Sequence, residues 1–189
     1  MRKGLLILLF SVGLSNAFGQ KILKVEKATD YSTHVIGDTF EGVVFSNKYT
    51  PFPSIYDADG QVITKTRLIS LSLEEVCLAE NLVIVNLNNI LKAQPNFSHD
   101  IMYIKHNLKK YVRQYFGYSN KKNQRIVIIS YLWRDKDLTD GLTVGNKLLI
   151  APTWRKERVL VNDGGNHYWE MHINVDTKKH VMFGVNGVG

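Results

Sequence analysis

Between residues 125 and 185 the chain alternates short apolar runs with turn signals, and this alternation constrains the fold more than any other feature of the sequence. Strands are expected at 125–133, 147–151, 157–161, 167–175 and 180–185. Asn162-Asp163-Gly164-Gly165 and Asp176-Thr177-Lys178-Lys179 read as turns, because Gly, Asn and Asp tolerate the backbone angles that tight connections need. Strands this close in sequence pair antiparallel, since a parallel neighbour needs a crossover of a dozen or more residues. The run Ile126-Val127-Ile128-Ile129 is apolar at every position, so its strand is expected to be central and covered on both faces. A polar loop is expected over 134–145.

Residues 98–116 predict one long amphipathic helix. Ile101, Ile104, Leu108, Tyr111, Val112 and Tyr115 recur at i, i+3, i+4 spacing, and Gly117 suits its end. The opposite face would carry Lys105, His106, Lys109, Lys110 and Arg113, with Lys121, Lys122 and Arg125 following in a loop. Ser72-Leu73-Glu74-Glu75 is a capping box and predicts a short helix over 73–80. Leu82-Val83-Ile84-Val85 then reads as a β-branched strand, although Val76, Val83, Leu87, Ile90 and Leu91 also fit one longer helix. Residues 20–71 are β-like. Within them, Asp57-Ala58-Asp59-Gly60 predicts a hairpin turn and is one ligand short of a calcium loop. The whole reads as an α+β domain: an antiparallel sheet ending in a C-terminal meander, with one long amphipathic helix and one short helix packed on one face. Without repeats or a linker, residues 20–189 are expected to form a single α+β domain.

Residues 1–19 read as a signal peptide. Arg2 and Lys3 precede an apolar stretch from Leu5 to Leu14, and small residues then allow cleavage before Phe18 or before Gln20. The stretch is too short to span a bilayer, and no later run approaches the roughly 20 residues required. The chain is therefore expected to be exported, to the periplasm or outside the cell, with no transmembrane segment in its mature form. The one cysteine, Cys77, forbids an internal disulfide and reads as a small buried hydrophobe. Removing Arg2 and Lys3 leaves 22 basic residues against 17 acidic ones, a net charge of about +5. This favours anionic partners such as polysaccharide or lipid headgroups, or another envelope protein. It does not favour nucleic acid, which an exported protein seldom meets, and no aromatic–basic stacking platform is present in the sequence.

No nucleophile elbow, phosphate loop or metal-ligand spacing is complete, so no cofactor is expected and a binding protein is favoured over an enzyme. On the strand at 166–175, period two places His167, Trp169, Met171, Ile173 and Val175 on a core face. Tyr168, Glu170, His172 and Asn174 form a polar row on the other. Glu170 and His172 are the weak catalytic candidates, as an acid/base pair or as two metal ligands where at least three are needed. His180 would fall on the opposite face and not join them. Ligand-binding candidates are the basic helix face, represented by Lys105, Lys109, Lys110 and Arg113, and an aromatic sheet face carrying Tyr131 and Trp133. The leading expectation is an exported binding or interaction protein of the cell envelope or extracellular space. The alternatives are a small secreted hydrolase or metal-dependent enzyme using Glu170 and His172, and a structural or assembly subunit.

Overall fold

Ser72 starts the longest helix of the protein. Its hydroxyl accepts from the Glu75 N–H at 3.2 Å while the Glu75 carboxylate accepts from the Ser72 N–H at 2.8 Å, so both halves of the capping box are made. In the computed structural model, which describes residues 19–51, 54–134, 142–144, 147–150, 153–161 and 164–186, this helix, α1, runs Leu73–Ala93. The signal peptide expected at residues 1–19, apart from Gly19, and most of the expected polar loop at 134–145 lie outside the described residues, as do Asn162 and Asp163 of one expected turn. α1 replaces the short helix and the strand expected at 82–85. Val76, Ala79, Val83, Leu87 and Ile90 form its buried stripe, while Ile84 and Val85 stay exposed. Burying a Val, Leu or Ile gains about 1.5–3 kcal/mol, whereas a β-branched residue in a helix costs a few tenths. Packing therefore decides the conformation of 82–85.

The second helix, α2, runs Ser98–Asn107 and is short. The expected helix over 98–116 ends there, a single 3-10 turn follows at Leu108–Lys110, and Tyr111–Ser119 is a strand. The long and short helices thus exchange places along the chain. The strand at 111–119 is buried on both sides, so apolar residues fall on both of its faces and helical spacing is satisfied by coincidence.

The strands are β1 (Ile22–Lys27), β2 (Ser32–Gly37), β3 (Glu41–Phe45), β4 (Leu68–Ile69), β5 (Tyr111–Ser119), β6 (Arg125–Trp133), β7 (Leu142–Val144), β8 (Lys147–Ile150), β9 (Tyr168–Asn174) and β10 (Lys179–Val185). Eight of them form one sheet in the order β1-β2-β3-β5-β6-β9-β10, with the two-residue β4 beside the far end of β5. Only β3–β5 is parallel, and α1 and α2 lie in its crossover. The remainder is antiparallel, and β5-β6-β9-β10 form the C-terminal meander. β7 and β8 pair with each other in a separate ribbon. The expected strand at 157–161 does not form. Asp57–Gly60 is a turn, with the Gly60 N–H bonded to the Asp57 carbonyl and Gly60 at φ 73°.

Both faces of the sheet are covered. α1 and α2 pack on one, over Tyr111, Tyr115, Val127, Ile129, Tyr131, Trp169, Met171 and Ile173. The other is covered by irregular chain, through Tyr49, Ile55, Ile63 and Trp154 against Val43, Phe45, Val112, Phe116, Ile126 and Ile128. Gln114 pins this second layer. Fully buried on β5, its amide nitrogen donates to the carbonyls of Trp154 (2.6 Å) and Glu157 (2.7 Å), and its oxygen accepts from the Val159 N–H (2.9 Å). One side chain thus does for residues 153–161 what a neighbouring strand would do.

Candidate functional site

Glu170 and His172 sit beneath the second layer and not on a solvated strand face. β9 alternation points both away from the helices, and His172 is completely buried. The His172 Nε2 lies 2.9 Å from Glu170 Oε1, and Ser130 Oγ on β6 donates to Glu170 Oε2 at 2.6 Å. The Arg158 guanidinium stands 3.9 Å away. Burial opposes the Glu170 carboxylate, but the bond to His172, the hydroxyl of Ser130 and the charge of Arg158 outweigh it and hold its pKa below the ordinary range. The sequence pairs Glu170 with His172 correctly; it gives no sign of Ser130 or Arg158, which arrive through strand register and loop path. The order is hydroxyl, carboxylate, imidazole. With the carboxylate in the middle, His172 is not placed to take a proton from Ser130. The other ring nitrogen of His172, Nδ1, is buried and has no hydrogen-bond partner among the described residues. His180 bonds Asn86 on α1, on the helix side, and does not join this group.

A second polar group lies under α1. Arg113, expected on an exposed helix face, is 2% exposed on β5, and Tyr131, expected on an open aromatic face, is fully buried. Glu80, on the buried side of α1, accepts from the hydroxyls of Tyr115 (2.9 Å) and Tyr131 (3.2 Å) and stands 3.5 Å from Arg113 Nε. Arg113 also donates to the carbonyls of Tyr111 and Leu108, tying the start of β5 to the turn before it. Burial, with the Glu80 charge added, lifts the phenols of Tyr115 and Tyr131 far above their ordinary pKa. Gly42 on β3 leaves room for Tyr115: a Cβ there would come within 2.5 Å of its ring. Arg113 and Tyr131 are therefore parts of the interior and offer nothing to an external ligand.

The remaining candidates meet at the outer end of α2. Lys109 and Lys110 are exposed on the 3-10 turn, and the Lys110 ammonium lies 5.3 Å over the half-buried Trp133 ring. His167 stacks on Trp133 with centroids 4.3 Å apart, and its Nε2 is 2.9 Å from the Tyr103 hydroxyl. Tyr103 in turn lines a shallow, open depression of about 490 Å³ with Ser98, His99, Met102 and His106. Asn166 fixes the arrangement by donating to Asp100 on α2, and its carbonyl accepts from the Tyr111 hydroxyl. Lys105 is half-buried and donates to Asn88 at 2.7 Å, so it belongs to the α1–α2 contact. Tyr103 and His167 are the residues that sequence reasoning misses. Their signal is faint: Tyr103 is off the apolar stripe of the expected helix, and His167 reads as part of the core face of the strand expected at 166–175.

Among the described residues, no three His, Cys, Asp or Glu side chains are arranged to hold a metal ion, and no helix is long and apolar enough to cross a membrane. Cys77 is half-buried, and burial, together with the charge of Glu74, raises its thiol pKa, which suits an inert thiol. Comparison with family models, with curated proteins and with solved structures finds no match to this chain.

Proposed function

We propose that this chain is an exported binding protein of the cell envelope or extracellular space, and that it takes anionic polysaccharide on the surface formed by Tyr103, Lys109, Lys110, Trp133 and His167. One arrangement carries the reading: the exposed Lys110 ammonium lies over a half-buried indole that stacks on an imidazole, exposed Lys109 precedes it in the chain, and the imidazole reaches Tyr103 in the lining of an open depression. Aromatic rings give apolar contact to sugar faces, and the lysines attract carboxylate or sulfate groups without coordinating them rigidly. An open depression suits a polymer that lies across a surface, whereas a small substrate needs enclosure.

The test is a titration of the purified chain with polygalacturonate at low ionic strength, followed by tryptophan fluorescence, with neutral dextran and anionic vesicles as separate arms. Binding to the anionic polymer should weaken as salt rises. It should fall several-fold in the Lys109→Glu/Lys110→Glu variant and in Trp133→Ala, while dextran stays unbound. No binding at low salt, or binding indifferent to both variants, would remove the proposal. Preference for vesicles over polymer would transfer the site to lipid headgroups. A hydrolase built on Glu170 and His172 is the weaker reading, because His172 has no exposure and the carboxylate is already held by Ser130 and His172.

A further inference from the structure

We propose that two copies of the chain associate through the outer edge of β1, pairing antiparallel about Val25 so that the sheet continues across a twofold axis. Among the described residues, β1 ends the eight-stranded sheet and pairs with β2 alone. Among the described residues nothing covers its outer side, and Leu23 and Val25 are 66% and 47% exposed. The opposite edge is blunted: on β10 the His180 N–H is taken by the Asn86 side chain at 2.9 Å.

The phase of β1 determines which backbone groups are offered. The Ala28 N–H bonds to the Ser32 carbonyl, and Glu26 and Lys24 stand opposite His34 and Ile36. Alternation along an antiparallel strand then directs the Glu26 and Lys24 backbone toward β2 and the Val25 and Lys27 backbone outward. A twofold axis at Val25 makes Val25 and its copy a hydrogen-bonded pair, with Leu23 opposite Lys27 of the other chain. Lys24 falls opposite Glu26 of the other chain in the non-hydrogen-bonded pairs, where side chains approach most closely. The strand is therefore self-complementary in charge. In the single chain Lys24 and Glu26 are 2.7 Å apart with both side chains about half exposed, so exchanging one partner for its equivalent requires little rearrangement. Lys27 is already matched by Asp30 at 2.6 Å. Lysine on an edge strand ordinarily discourages pairing; here the two-residue offset to Glu26 turns it into a recognition element. The bulge between Ile22 and Lys24 limits the paired segment to about residues 23–27.

Sedimentation equilibrium of the purified chain over a concentration series tests the proposal, with circular dichroism verifying that each variant folds. The chain should show a monomer–dimer equilibrium. Lys24→Glu and Glu26→Lys should each weaken it about tenfold, because two attractive pairs become repulsive. An equimolar mixture of the two variants should recover it, since every cross-strand pair is then opposite in sign. Val25→Pro removes an outward N–H and should abolish association while leaving the β1–β2 ladder intact. A chain that stays monomeric at every concentration would overturn the proposal. So would a dimer that neither charge reversal weakens, or a mixture that associates no better than the single variants.

Discussion

Replacing Glu80 by alanine should cost the fold about 3–5 kcal/mol, the range for breaking a buried ion pair from one side. The reason is what remains. Arg113 keeps its bonds to the Tyr111 and Leu108 carbonyls, so its charge stays pinned in an interior where the side chain is 3% exposed, with its counter-ion gone. The hydroxyls of Tyr115 and Tyr131 lose the acceptor they share, and each orphaned hydroxyl adds about 1 kcal/mol or more. A domain of this size is held by about 5–15 kcal/mol, so the variant loses about a fifth of its stability or more. Urea unfolding followed by tryptophan fluorescence reads this directly, because Trp154 and Trp169 are both 2% exposed and report the two faces of the sheet. The partner experiment is Arg113→Met, which strands Glu80 instead. Combined as Glu80→Ala/Arg113→Met, the two should cost far less than the sum of the singles, with a coupling of about 2 kcal/mol or more. A loss under about 1 kcal/mol for Glu80→Ala, or additive singles, would refute the buried pair as a structural element.

Acid should unfold the protein partly through Glu41. Its bond from His34 outweighs the penalty of burial and, with Arg134, holds its pKa at about 2 against an ordinary 4.5. A folded-state pKa below the unfolded one means stability that is present above about pH 4.5 and lost as pH falls toward 2, worth about 3 kcal/mol. Urea midpoints measured across that window should fall steeply in the native chain and less in Glu41→Gln; equal slopes would disprove it. Gln114→Ala leaves the carbonyls of Trp154 and Glu157 and the N–H of Val159 without their partner, for a loss of about 2–4 kcal/mol. A red shift in emission should accompany that loss as Trp154 gains water; an unchanged spectrum and midpoint would contradict the pinning role. N-terminal sequencing of the native protein should begin at Phe18 or Gln20, and an intact Met1 would end the export reading.

The sheet was the most legible part of the sequence. β6, β9 and β10 fall where alternation and turn residues place them, because those strands are bounded by residues whose backbone preferences act locally. The split of β9 into a Trp169/Met171/Ile173 face and a Glu170/His172 face was equally legible, since strand period fixes it once the strand exists. What failed was the choice between helix and strand where burial is complete. Residues 82–85 look like a strand and are helix; residues 111–116 look like helix and are strand. In each case, packing against a distant segment overrode the local preference. The candidate site suffered accordingly. A helix continuing to Phe116 would have spread Lys105, Lys109, Lys110 and Arg113 over one exposed face. Ending α2 at Asn107 scatters them to a helix contact, a surface turn and the interior.

Arg113 shows what signal was there to find. In the run Tyr111-Val112-Arg113-Gln114-Tyr115-Phe116, a charge stands amid residues suited to burial on both sides of a strand. Such a strand needs a buried counter-charge from whichever element covers it. On α1, Glu80 falls within the buried stripe, next to Ala79 and a turn from Val76 and Val83. A carboxylate in an apolar helical stripe makes the reciprocal demand. Each residue alone is an anomaly under its own local pattern; taken together they satisfy one another and specify which face of β5 meets which face of α1. Gln114 extends the logic to the other side of the same strand, where an uncharged amide meets backbone groups and no counter-ion is needed. Two adjacent polar residues on one central strand thus dock the two layers that cover the sheet, one through charge and one through hydrogen bonds.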